Sequence, residues 1–218
     1  DGYGDAGYQG VINALHQFGF EDTDQLSHGR YTRNTLNVEN AVAELLDGQV
    51  TPKVVIMAGG YAPSAKFIKL LQRELPDVIF MNLSFVGANS LKQAVGDVEN
   101  VIVMQSVPPL ESGLPIVEDY LLSLQKFDVD AVPNSISLEG FIVAKIFHQG
   151  LLKVQGEVNK ESIIDGLESL HYIDIGLGAK IYLDEHQHQA IHNVWMTHFT
   201  AGKIAAFTWP MLQTSKDD

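Results

Sequence analysis

Pro52-Lys53-Val54-Val55-Ile56-Met57-Ala58-Gly59-Gly60-Tyr61 is the stretch on which the fold turns. Five consecutive apolar residues, Val54 to Ala58, run from just after a proline to a glycine pair. A strand with one wet face alternates apolar and polar residues. Unbroken apolarity at strand length instead predicts burial on both faces, as in parallel sheets covered by helices.

The flanking segments keep the same rhythm. Downstream, Phe67, Ile68, Leu71 and Leu75 recur at helical spacing over residues 64–75. Pro76 ends that helix, and Val78-Ile79-Phe80-Met81 reads as the next strand. A short helix around residues 90–95 then leads to a strand at Val101-Ile102-Val103-Met104. Upstream, Val38, Ala41, Val42, Leu45 and Leu46 share one side of a helix that Asn37 can cap. Residues 30–35 read as a short strand. Val11, Leu15 and Phe18 mark a helix over residues 6–18, with Gly19 as its stop. Alternating helices and strands predict an α/β fold, a parallel sheet flanked by crossover helices.

After Val107-Pro108-Pro109 the rhythm changes. Residues 115–170 read mostly as helix, over 116–127, 137–152 and 160–170. From Ile181 to Trp209 antiparallel strands are expected around the turns at 184–189 and 201–203. Asp1-Gly2-Tyr3-Gly4 sits where a loop should join a strand to the first helix, yet no strand precedes it. The expectation is a chain that begins inside a lobe.

With 218 residues, 45% of them hydrophobic and 19% charged, the chain can bury a sizeable core. Fourteen basic residues against 27 acidic ones leave a net charge of −13, and no block of Lys or Arg offsets it. Such a surface repels phosphate backbones, so nucleic acid is a poor partner. The absence of cysteine excludes disulfides, thiol catalysis and Cys-ligated zinc. No apolar run reaches the length that spans a bilayer.

Several segments together resemble the type I periplasmic-binding fold, specifically the branched-chain amino-acid-binding family of ABC-importer receptors. They are Asp1-Gly2-Tyr3-Gly4-Asp5-Ala6-Gly7, Arg33-Asn34-Thr35, Ala58-Gly59-Gly60-Tyr61, Ser84-Phe85-Val86-Gly87, residues 105–108, and Ser137-Leu138-Glu139-Gly140-Phe141. Their order and spacing cover almost the whole chain. The resemblance implies two α/β lobes joined by crossing strands and closing on a small ligand. On that scheme residues 1–104 form one ligand-binding lobe without its first strand, and 105–110 form a crossover hinge. Residues 111–178 supply the mainly helical part of an incomplete second lobe, and 179–218 return to the first.

The resemblance places the site at Tyr3, Gly60, Tyr61, Ser84 and Phe85. Tyr3 matches a loop tyrosine that packs over the ligand, and Tyr61 an aromatic after the glycine pair. Ser84 falls where the leucine/isoleucine/valine receptor carries an acid that holds the ligand's ammonium. A buried ammonium without an anionic partner is strongly penalised, so amides and carboxylates stay open beside amino acids. The implied role is non-enzymatic: an extracytoplasmic or periplasmic receptor that captures a small metabolite for an ABC permease, with no cofactor and no metal. A sensory ectodomain fused to a signalling module is the alternative with the same fold. The polar end at residues 213–218 fits either a free terminus or a linker.

Two other chemistries compete. Gly2, Gly4 and Gly7 match the spacing of the dinucleotide fingerprint, with Asp22 and Asp24 at the approximate distance for a ribose-binding acid. The fingerprint needs a preceding strand, and glycines that let a loop turn into a helix are the favoured reading. His186, His188 and His192 with Asp184 and Glu185 fit no zinc spacing and read as a polar turn. His198 reads as a structural histidine, and Glu139 as a carboxylate early in a helix. No Gly-x-Ser-x-Gly elbow, Walker-type loop or His-Glu-x-x-His helix is present.

Overall fold

The computed structural model describes residues 1–23 and 25–212. Asp24 and the polar end at 213–218 lie outside the described residues. The chain divides into two compact units, one of Asp1–Met104 with Met196 onward, the other of Gln105–Trp195.

The first unit holds α1 (Gly2–Gln17), α2 (Glu39–Leu46), β1 (Val54–Met57), α3 (Tyr61–Glu74), β2 (Ile79–Leu83), α4 (Ala88–Val95) and β3 (Val101–Gln105). Near its end come β6 (Trp195–Thr200) and β7 (Lys203–Ala206). The sheet order is β1-β2-β3-β6-β7. β1 and β2 run parallel with Val55 opposite Phe80, β2 and β3 run parallel with Met81 opposite Ile102, and β6 and β7 are antiparallel. Successive side chains alternate between faces. Phe80, Val101 and Val103 enter a core with Ile68 and Leu71 of α3 and Leu91 of α4. Met81 and Ile102 turn to the other face, against Phe207. Both faces of β2 and β3 are covered, whereas β1, expected to be buried on both faces, is the end strand and leaves Val54 43% and Ile56 45% exposed. Each fully buried side chain of this size contributes about 1.5–3 kcal/mol.

Local chemistry moved several boundaries. α1 begins at Gly2 rather than residue 6, because the Asp1 carboxylate accepts the Gly4 N–H at 3.0 Å and caps the helix. The expected loop at 1–4 is therefore its first turn. Residues 30–35 form no strand. Asn34 takes a left-handed φ of 61°, and the Thr35 N–H turns back to the Thr32 carbonyl. Arg30 and Arg33 instead pair with Asp5 and Asp1 of α1. β1 is left as the end strand of its sheet, because this segment folds into turns and does not pair with its free edge. Asn37 does not cap α2, whose N-cap is Val38. α3 starts at Tyr61, three residues early, since Pro63 falls in the first turn, where an N–H is not needed.

The second unit packs α5 (Pro115–Phe127), α6 (Ser135–Leu151) and α7 (Lys160–Glu168) with a two-stranded antiparallel ladder, β4 (His171–Ile173) and β5 (Ile181–Leu183). β5 pairs back onto β4, so the turn at 184–189 does not close the expected hairpin. Ile116, Val117 and Tyr120 of α5 meet Leu138, Ile142 and Ile146 of α6 in a core that also takes in Leu177 and Ile181. Asn134 caps α6, and its backbone N–H donates to the Tyr120 hydroxyl at 3.1 Å. α6 and α7 approach so closely that a Cβ on Gly166 would lie 2.5 Å from the Gly150 carbonyl oxygen.

Candidate functional site

The candidate positions lie at the carboxyl ends of β1 and β2, where open α/β sheets place their binding loops. β2 runs through Leu83 into a single 3-10 turn, Ser84–Val86, and Gly87 at φ 72° redirects the chain into α4. Val86 is buried, so Phe85 is thrown outward and is 71% exposed. Ser84 is half-buried, and its hydroxyl has no hydrogen-bond partner among the described residues. β1 ends in Gly59 and Gly60, and Gly60 is the N-cap of α3 without a side-chain cap. Tyr61, the first helical residue, is 49% exposed.

α1 brings the third element. Gly7 lets it seat on these strand ends, since a Cβ there would come within 3.0 Å of the Ala58 Cβ and 3.7 Å of Leu83. Tyr3 then lies with its ring centroid 5.1 Å from that of Phe85. Burial and the neighbouring Tyr31 push the Tyr3 hydroxyl above its ordinary pKa of 10.0. Tyr31 in turn reaches Gly59, where an added Cβ would meet its hydroxyl at 2.8 Å. The close approach therefore belongs to Gly59. Gly60 has nothing within 4 Å of a built Cβ. Phe85, Tyr3 and Tyr31 thus link the two β–α junctions, with Ser84 at one end and Gly60-Tyr61 at the other. Among the described residues Tyr61 makes no ring contact with the other aromatics. Tyr31 is the member that sequence reasoning missed, because its segment read as a strand.

The charges at this end of α1 are matched. Asp1 pairs with Arg33 at 3.3 Å, and Asp5 pairs with Arg30. Both carboxylates are committed to guanidinium groups.

The sequence profile of the periplasmic binding protein family matches residues 1–203. The chain belongs to that family. A possible leucine/isoleucine/valine-binding protein from Rhodopirellula baltica SH 1 is 37% identical, with a TM-score of 0.92 over 97% of this chain. The chain spans 58% of that protein's length. A fatty acid ABC transporter substrate-binding protein from Thermomonospora curvata shares the fold at 17% identity and a TM-score of 0.72, covering 94% of this chain and 53% of that one. A leucine binding protein from Thermotoga maritima does so at 13% and 0.69, covering 82% and 49%. A search among curated proteins finds no match. Two of these structures are described as binding proteins, one of them a possible one, and the third as an ABC transporter substrate-binding protein.

The competing sites look different in three dimensions. Gly2, Gly4 and Gly7 all lie inside α1 rather than in a turn ahead of it. A phosphate cradle needs its glycines in that turn. Asp22 sits in an irregular segment. The histidines of the acidic turn are engaged separately: His188 with Glu168 at 3.0 Å, His186 with Glu185 at 3.4 Å, and His192 with Gln187 at 2.6 Å. Among the described residues no group of three or more His, Asp or Glu has a metal-holding arrangement. His198 lies on β6 with its ring edge-on to Phe207, and Glu139 is exposed on α6. Among the described residues no helix is long and apolar enough to cross a membrane.

Proposed function

We propose that this chain is the ligand-holding part of an extracytoplasmic solute receptor that captures a small metabolite by lobe closure and delivers it to an ABC permease. One observation carries the reading: exposed aromatic rings and a serine hydroxyl with no partner among the described residues lie at two adjacent β–α junctions of one unit. Single exposed rings are common on a folded surface, but several of them at strand ends beside that hydroxyl fit a site completed by a ligand. Closure follows from differential contact. A ligand that touches both lobes only when they are shut stabilises the shut state.

The same residues narrow the ligand. Ser84 offers a neutral hydrogen bond where an ammonium would need an anion, and Asp1 and Asp5 are already paired. The ligand we propose is a small amide or carboxylate with an apolar body that lies against Tyr3, Tyr61 and Phe85. Native mass spectrometry of the full-length protein, searching for such a molecule carried through purification, tests this class directly. Tyr61→Ala should weaken its binding about tenfold, the scale of one lost aromatic contact, with little change in melting temperature. Unchanged affinity would remove Tyr61 from the site.

A further inference from the structure

Asn82 is the fourth residue of β2, and its side chain is 0% exposed. Neither its amide oxygen nor its amide nitrogen has a hydrogen-bond partner among the described residues. It sits in register with Met57 of β1 and Val103 of β3, in the row two residues beyond the core residue Phe80. The neighbours of Asn82 along the strand, Phe80, Met81 and Leu83, are apolar. Nothing in the strand pattern calls for an amide here. A buried carboxamide with both ends unpaired is destabilising, and a leucine of similar shape would not be. Such a cost points to a second arrangement in which the group is paired.

The candidate partner is reached through the neighbouring strand, since Asn82 is in register with Met57, four residues before Tyr61. α3 follows β1 directly, and its N-cap, Gly60, supplies no side-chain cap. The N–H groups of Tyr61 and Ala62 therefore have no acceptor within the helix, while Pro63 has no N–H at all. An Asn amide oxygen can take the place of the missing cap. We propose that Asn82 is a positioning residue for the aromatic crevice. Its amide, unpaired in this conformation, accepts from the first turn of α3 when ligand draws Tyr61 inward. The ligand then gains from a hydrogen bond that the free form withholds, which is a difference between states rather than a contact. This rests on the crevice reading above.

The experiment uses the full-length protein, stripped of bound small molecules by denaturation and refolded. The probe is the extract released in that step. Asn82→Leu should raise the melting temperature of the free protein by a few degrees. It should also raise the amount of extract needed for half-maximal thermal shift about tenfold. A higher melting temperature with unchanged response to extract overturns the proposal and leaves the amide a structural liability. A lower melting temperature also overturns it, because the amide is then satisfied in the free form. If Asn82→Leu does not fold, the wild-type side-chain NH2 signal of Asn82 decides. A shift in its resonance and slower hydrogen exchange on adding extract support the proposal, and unchanged values overturn it. Tyr61→Ala, run in parallel, separates the two claims. Loss of response there with normal Asn82→Leu behaviour sinks only the positioning role, whereas a normal Tyr61→Ala sinks the crevice.

Discussion

In the first unit the inner strands of a five-stranded sheet are covered on both faces, and three exposed rings, Tyr3, Tyr61 and Phe85, lie at the end of the sheet where strands give way to helices. In the second, three helices and a short ladder share one core, and the exposed apolar residues run along a helix instead. α6 sends Leu138, Ile142 and Ile146 into that core, yet Ile136, Val143 and Phe147 form a separate exposed stripe. Tyr3 and Phe85 touch each other and lie near a hydroxyl-bearing residue. The α6 stripe holds one ring, Phe147, and lies at no strand end. A ladder of backbone hydrogen bonds fixes the strands and frees their end loops to carry chemistry. A helix that is apolar on more than one side is built to be covered on more than one side. On the proposed reading, exposed apolar surface serves a ligand at the junctions of the first unit, and the α6 stripe is the contrasting case, an apolar helix side set apart from any strand end.

The largest effects should come from the two cores. Phe80→Ala, at a fully buried position of β2, should cost about 3–5 kcal/mol, and Ile142→Ala on α6 about 2–5 kcal/mol. Urea unfolding followed by tryptophan fluorescence sharpens the comparison. Trp209 lies with the first unit, while Trp195, the opening residue of β6, packs against the core of the second, so a variant in each unit shows whether the two melt together. Coincident shifts of both signals in both variants would mean that the units form one cooperative system.

Much of the division was legible in the sequence. Continuous apolarity marked β1, β2 and β3, and helical spacing marked α3 and the three helices of the second unit, because burial on both faces or on one stripe leaves a local pattern. What escaped depended on distant partners. Residues 30–35 have a strand-like composition, but a strand exists only with a neighbour, and Arg30 and Arg33 found carboxylates on α1 instead. The pairing of β5 with β4 has no periodic signal either. At the site, Ser84, Phe85, Tyr61 and Tyr3 were reached through the family resemblance. Tyr31 was not, since its place beside Tyr3 and Gly59 follows from how α1 seats on Ala58. Asn82 was written in the sequence as a lone amide inside an apolar strand, and only its burial made it informative.

A smaller, pH-dependent effect belongs to the first unit alone. Burial holds the His198 imidazole below its ordinary pKa of 6.5, with Glu99 opposing the shift. Above 6.5 both folded and unfolded states carry it neutral and it leaves stability unchanged. As pH falls below 6.5 the unfolded chain takes up the proton first, so stability declines until the folded pKa is reached. Melting temperatures between pH 7.5 and 5 should fall less in His198→Gln than in the wild type. An equal fall in both would assign the pH dependence to other groups.

The smallest effect tests the α6 stripe. Val143 is 60% exposed and directly follows the buried Ile142, so the two report on different sides of one helix. Replacing an exposed valine by lysine removes little buried area, and lysine is the better helix former. Val143→Lys should therefore change stability by no more than about 0.5 kcal/mol, against the several expected at its neighbour. The same charge placed on a surface meant to be covered would weaken whatever covers it, because desolvating an ammonium is expensive. Chemical unfolding and sedimentation velocity on the same sample separate the two readings of the stripe. Near-neutral stability with unchanged association leaves the stripe solvent-facing in this chain. A loss above about 1 kcal/mol, or a shift to a smaller species, would show that the outer side of α6 is already buried in solution, and the contrast between the two units would then lie in what covers each rather than in what is exposed.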